Sequence, residues 1–223
     1  MRKELISQRL DQTAIIPVFY HPSYNYTTEI IKAFYQGGMR VFEYVNRGEN
    51  ALEHFALLMK FVENHCPDML LGIGSITTVE QARLFIEMGT PFVVAPILDK
   101  ATGDICHENH CCWIPGCGTL SEMKKAMNFG ANRLKLFPAD IYGPRFIKAV
   151  LGPCPDLKIM PTGGVEPNKD NLSKWFQAGA ISVGIGSSLF DKAMIAESRF
   201  DKLSQKIAKI LSIANELRFS AKT

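Results

Sequence analysis

No stretch of this chain approaches the roughly 18 consecutive apolar residues of a membrane-spanning helix, so no membrane partner is expected. The first residues, MRKELISQRLDQ, lack the apolar core of a secretory signal, and export is not expected. Basic tracts mixed with aromatics are also missing. A formal net charge of +3 is too mild to argue for a nucleic-acid partner, and none is expected. Six cysteines in 223 residues show no paired C-x-x-C spacing and do not resemble a disulfide framework. A reducing cytoplasm is the compartment they fit. No G-x-G-x-x-G opens a first helix, which argues against an open dinucleotide-binding sheet. No Pro/Ser-rich linker divides the chain, and residues 1–223 read as a single domain.

What the chain does have is apolar residues in short runs. They make up 47% of it, enough for a substantial core. Eight runs stand out: AIIPVFY (14–20), RVFEYV (40–45), LLGIGSI (70–76), FVVAPI (92–97), CCWIPG (111–116), RLKLFP (133–138), LKIMPTG (157–163) and ISVGIG (181–186). Most are near-continuous rather than alternating, as in parallel strands covered on both faces. Mostly helical patterns lie between them. Two are bounded by expected capping boxes, Thr77 with Glu80 and Thr119 with Glu122, and end at Gly89 and Gly130. Residues 2–10 read as a short N-terminal helix, and a long C-terminal helix is expected from Leu189 to about Arg218. Eight strands alternating with helices predict a (β/α)8 TIM barrel of class α/β.

In such a barrel the polar residues at the C-terminal strand ends are the ones to weigh. Lys135 sits inside RLKLFP, where Leu134 and Leu136 face the helices by strand alternation. A buried lysine either pairs with an acid or serves as a nucleophile, since desolvation disfavours the ammonium form. A neutral amine there attacks a carbonyl and forms a Schiff base. Glu43 and Arg47 lie four apart and share a face in extended chain. They form a salt bridge, or they divide into a proton carrier and a carboxylate clamp. Glycine-rich PTGG (161–164) and GIGSS (184–188) follow the seventh and eighth runs, the frequent phosphate site of barrels. CHENHCC (106–112) has ligand chemistry for zinc but no standard spacing, so buried structural cysteines are the expected reading. His21 either faces the barrel mouth or is solvated on its loop.

Together the segments GGMRVFEYVNR, GIGSITTVEQA, VVAPILD, IPGCGTLSEM, LKLFPAD, PTGGV and GIGSSLF carry a resemblance over about Ile15–Ser188. The chain resembles the 2-keto-3-deoxy-6-phosphogluconate (KDPG)/4-hydroxy-2-oxoglutarate aldolase family. The resemblance implies a metal-independent class I aldolase, a homotrimeric barrel without cofactor. It implies Lys135 as the Schiff-base lysine and Glu43 as general acid/base. Arg47, Ser75 and Thr162 would hold the pyruvyl carboxylate and keto acid. Pro96 and Phe137 would line the apolar wall. Gly163, Gly164, Gly186 and Ser187 would receive a phosphate. The chain departs from the family pattern at Ser75, Tyr44-Val45, Gly48 and Ile97, and in VFYHPSYNY at the end of the first run.

The expected function is therefore a lyase that takes a small-molecule keto acid and cleaves it to pyruvate and an aldehyde. KDPG would yield glyceraldehyde 3-phosphate, and 4-hydroxy-2-oxoglutarate would yield glyoxylate. Three alternatives stay open. One is an aldolase for a galactonate-type or unphosphorylated 2-keto-3-deoxy acid. Another is a phosphate-binding barrel isomerase or synthase. The third is a metal-dependent binding protein built on residues 106–112.

Overall fold

The apolar runs become parallel strands in the computed structural model, which describes residues 3–221. The ends of the expected domain, and residue 2 of the expected first helix, lie outside the described residues. The strands are β1 Ile15–Phe19, β2 Val41–Val45, β3 Leu70–Gly74, β4 Phe92–Val94, β5 Cys112–Ile114, β6 Gly116–Cys117, β7 Leu134–Leu136, β8 Ile159–Pro161 and β9 Val183–Ile185. The helices are α1 Lys3–Gln12, α2 Tyr24–Gln36, α3 Ala51–His65, α4 Val79–Glu87, α5 Lys100–Glu108, α6 Leu120–Asn128, α7 Ala139–Leu151, α8 Lys169–Gln177, α9 Lys192–Ala196 and α10 Phe200–Ser220.

Nine strand segments stand where eight were expected among the described residues. The extra one arises at Pro115, which splits the fifth run into β5 and β6. Proline has no N–H to give a ladder. Its carbonyl still accepts from the Lys135 N–H at 2.8 Å. The strands form a parallel sheet in the order β5-β4-β3-β2-β1-β9 and a second in the order β6-β7-β8. A parallel bridge between Thr162 and Gly184 links the end of β8 to β9. The result is an α/β fold whose parallel sheet curls.

Strand alternation sorts the apolar residues into two cores. Ile15, Phe42, Leu71, Val93, Trp113, Leu134, Leu136, Ile159 and Val183 join the cluster shared with the helices. Ile16, Val41, Leu70, Phe92, Val94, Cys112, Ile114 and Met160 form a smaller inner cluster, into which α1 sends Ile6 and Leu10. Covering both faces is what makes such strands near-continuously apolar.

Helix boundaries differ from expectation in two places. The cap of α4 lies one residue later than Thr77: Thr78 accepts from the Gln81 N–H at 3.3 Å, and the Gln81 side chain accepts from the Thr77 N–H at 2.9 Å. That register turns Ala82 and Phe85 into the core. The Thr119–Glu122 box forms as expected. The C-terminal helical stretch is not continuous. It starts with a 3-10 turn at Ser187–Leu189 and breaks between α9 and α10, where Ser198 takes φ 53°. Helix α10 then packs so close to the α2–β2 turn that a Cβ on Gly37 would lie 2.8 Å from the Ile207 side chain.

Beneath the inner core, Arg133 is buried and pairs with Asp11 of α1 at 2.9 Å, while Lys158 reaches the other Asp11 oxygen at 2.6 Å. Arg133 also donates to the Ser182 hydroxyl at 2.6 Å. Asp11 is the only carboxylate paired with this guanidinium among the described residues. Removing it leaves a buried cation without its counter-ion. Asp11→Ala is expected to cost roughly 2–4 kcal/mol, somewhat less than breaking a fully buried pair because Asp11 is partly exposed. Equilibrium denaturation checks this, and a loss near zero would show that α1 is not held by this ion pair.

Candidate active site

Alternation along β7 sends Leu134 and Leu136 toward the helices, as expected, and Lys135 to the inner face, where it is 5% exposed. On β2 the same rule sends Phe42 and Tyr44 outward and buries Glu43 completely on the inside. The two meet across the fold, with Lys135 Nζ 3.7 Å from Glu43 Oε1. That is an ion-pair contact, too long for a hydrogen bond. Neither Glu43 oxygen has a hydrogen-bond partner. Burial pushes the Glu43 carboxyl above its ordinary value, and the Lys135 charge only partly offsets this. The Lys135 ammonium also lies 5.3 Å from the ring centre of Phe137, which is 38% exposed at the mouth.

Missing side chains make the room. A Cβ on Gly74 of β3 would run into the Glu43 carboxylate. A Cβ on Gly116, paired in register with Lys135, would strike the Pro96 backbone. A Cβ on Gly184 would collide with the Thr162 hydroxyl, which is buried and has no partner. Ser75 directly follows β3 with φ 62°, a conformation that costs a non-glycine residue energy and recurs at functional sites.

The two glycine loops are neighbours. Gly163 and Gly164 take φ 102° and 67° after β8, and a Cβ on Gly164 would lie 2.7 Å from the Asp140 side chain. Ser188 donates to the Val165 carbonyl at 3.0 Å and ties the second loop to the first. Gly186 faces open space.

Arg47 behaves differently from expectation. The extended chain ends at Val45, and the Arg47 N–H folds back onto the Val45 carbonyl at 2.8 Å. The face shared with Glu43 is lost, Arg47 is exposed, and the ion partner of Glu43 is Lys135. Arg47 instead lines a cavity of about 490 Å³ together with Val18, His21, Ser187, Phe190 and Lys192.

The cysteine–histidine segment does not converge on one point, although the Cys106 and Cys111 side chains meet in the outer core. Cys111 enters the outer core and Cys112 the inner one. His107 packs edge-on against Trp113. Burial pushes the Cys112 thiol up to about 11, which disfavours a thiolate ligand. Among the described residues no three His, Cys, Asp or Glu side chains are grouped to hold a metal ion.

Gly74, Asp140 and Lys192 were not singled out from the sequence. Glycine at alternate positions 72 and 74 on one strand was a readable sign of a crowded inner face. Lys192 carried no such sign, because it sits in a helical-looking tail.

The family model "KDPG and KHG aldolase" matches residues 6–206. A 2-dehydro-3-deoxy-phosphogluconate aldolase of Pseudoalteromonas atlantica is 28% identical over 195 residues, covering 87% of this chain and 88% of that protein. A 2-dehydro-3-deoxy-6-phosphogalactonate aldolase of Escherichia coli is 34% identical over 130 residues, covering 54% and 58%. The KDPG aldolase of Legionella pneumophila, solved with pyruvate captured as a covalent carbinolamine intermediate, superposes with a TM-score of 0.82 at 24% identity. It covers 92% of this chain and 97% of that one, and shows the same fold. With a family match running from α1 into α10, the chain belongs to the KDPG and KHG aldolase family, whose members are lyases.

Proposed function

We propose that the chain is a class I aldolase that cleaves KDPG to pyruvate and glyceraldehyde 3-phosphate, and 4-hydroxy-2-oxoglutarate to pyruvate and glyoxylate. The observation that carries this reading is the buried contact of 3.7 Å between Lys135 Nζ and a Glu43 carboxylate that has no hydrogen-bond partner. An amine beside an available proton carrier is what imine chemistry needs. The Lys135 amine adds to the C2 carbonyl, and Glu43 delivers the proton that lets the carbinolamine lose water. Glu43 then takes the C4 hydroxyl proton. The C3–C4 bond breaks, its electron pair moves into the protonated imine, and the aldehyde leaves. The resulting enamine is protonated at C3, and water hydrolyses the imine to release pyruvate and restore Lys135.

Thr162 and Ser75 supply hydroxyls to the keto-acid end, and Arg47 supplies its counter-charge. Pro96 and Phe137 wall the pyruvyl group. Gly163, Gly164, Gly186 and Ser187 present backbone N–H groups to the phosphate. The unpartnered Thr162 hydroxyl favours its role, since a buried polar atom without a partner is costly unless a ligand completes it. We read the nine segments as eight strand positions of one closed (β/α)8 domain, with β5 and β6 sharing a position across Pro115. The working form we assign is a cytoplasmic homotrimer. A galactonate-type substrate is the second reading, favoured by the similarity to the Escherichia coli phosphogalactonate aldolase. Pyruvate release measured across both C4 epimers, phosphorylated and not, separates the two.

Borohydride reduction with pyruvate is expected to add a three-carbon adduct at Lys135, seen by peptide mass. Lys135→Ala should lose on the order of 10⁴-fold or more in kcat. An unlabelled Lys135, or a fully active alanine variant, would sink the imine mechanism. Because the Glu43 carboxyl is raised and must ionise to act as base, kcat/KM should fall on the acid side with an apparent pKa above the ordinary 4.5. An acid limb at or below 4.5 would remove Glu43 from that role. Gly74→Ala should displace the Glu43 carboxylate and lower kcat by roughly 100-fold, with the folded circular-dichroism spectrum retained.

A further inference from the structure

We propose that Lys192 and His21 are specificity-determining residues for the terminal phosphate of the substrate, received in the chamber between the end of β1 and α9. The proposal rests on the aldolase reading above and adds side chains to a phosphate site built there from backbone alone.

The chamber, about 490 Å³, falls within the size range of small-molecule sites. Phe19, Ile30, Phe190 and Ile195 make its apolar wall. Its polar lining consists of the hydroxyls of Tyr20, Tyr26 and Ser187 and the basic side chains His21, Arg47 and Lys192. No carboxylate lines it. Asp191, next to Lys192, is committed elsewhere. One of its oxygens pairs with Lys206 at 2.8 Å and the other caps the Met194 N–H at 3.1 Å. Among the described residues neither Arg47 nor Lys192 forms an ion pair. Both are exposed to solvent, and with no carboxylate in the lining they give the chamber a positive potential that favours an anion.

His21 is held so as to donate. The Ser23 N–H donates to His21 Nδ1 at 3.0 Å, so the neutral ring carries its proton on Nε2. The ring lies parallel to Phe19 and 5.1 Å from Tyr26, centre to centre. Tyr20 fills the space where a Cβ on Gly48 would stand, and Gly48, at φ +77°, follows Arg47 in its turn. The end of β1 and the Arg47 turn are therefore packed as one wall.

The chamber lies beside the strand that carries Glu43. Val18, in its lining, pairs in register with Glu43. Ser187, on the second glycine loop, lines it as well, and Gly186 beside it faces open space. A phosphate on that loop shares the chamber with Lys192. With Arg47 committed to the keto-acid end, Lys192 is the cation left for the phosphate, and a phosphate monoester carries close to two negative charges.

The test compares kcat/KM for a phosphorylated 2-keto-3-deoxy acid with that for its unphosphorylated counterpart of the same stereochemistry. The ratio should exceed one in the wild-type chain, fall roughly 10- to 100-fold in Lys192→Ala, and recover in Lys192→Arg. His21→Ala should lower the same ratio by a smaller factor. A wild-type ratio near one, an unchanged ratio in Lys192→Ala, or an equal loss on both substrates overturns the proposal. Borohydride trapping of the wild-type chain with pyruvate keeps the two readings apart. No adduct at Lys135 refutes the aldolase chemistry itself. An adduct with an unmoved ratio refutes only the role of Lys192 and His21.

Discussion

The site depends on one buried ion pair held at a distance. At roughly 4 Å and an effective dielectric near 20, two opposite charges attract by about 4 kcal/mol. Desolvation costs several kcal/mol for each ion. The Lys135–Glu43 contact therefore does not sustain itself, and burial outweighs attraction at Glu43, whose carboxyl is pushed up. What holds the two groups there is the sheet. Lys135 is anchored by its N–H to the Pro115 carbonyl, and Glu43 lies in the middle of a strand paired on both sides. The fold carries a local cost, and the groups gain positions from which both can act on a carbonyl.

Glycines around this pair serve as spaces rather than as hinges. Gly74 and Gly116 sit within the strands and lack a side chain where one would strike Glu43 or Pro96. The inner face is filled below by Phe92, Val94, Ile114 and Met160, and below those by Ile6 and Leu10 of α1. One end of the fold is thus packed with hydrocarbon and braced by Arg133 and Asp11, while polar groups collect at the other. This polarity puts hydrophobic stabilisation and reactive groups on the same strands without mixing them.

Much of this was legible in one dimension. Alternation in RLKLFP turned Lys135 away from the helices, and VFEYV marked Glu43 as an acid inside a strand. The glycine loops after the last two strands were readable from composition and order. Arg47 was not, because a four-residue spacing has meaning only while the strand continues, and this one stops at Val45. The split of the fifth run at Pro115, the break at Ser198 and the shifted cap at Thr78 were missed for a related reason. Each is a choice between local options that neighbouring elements decide.

The sequence by itself determined the period of each element, the turning of Lys135 away from its leucine neighbours, and the family resemblance carried by its motifs. These follow from local chemistry, since alternation along a strand needs no partner to be read, whereas which face points inward does. The tertiary structure alone decided that the amine and the carboxylate stand 3.7 Å apart. It alone gathered His21, Arg47, Ser187 and Lys192 around one chamber. Distances between residues far apart in the chain depend on how the sheet curls and how closely the helices approach it, and no pattern along the chain encodes that curvature.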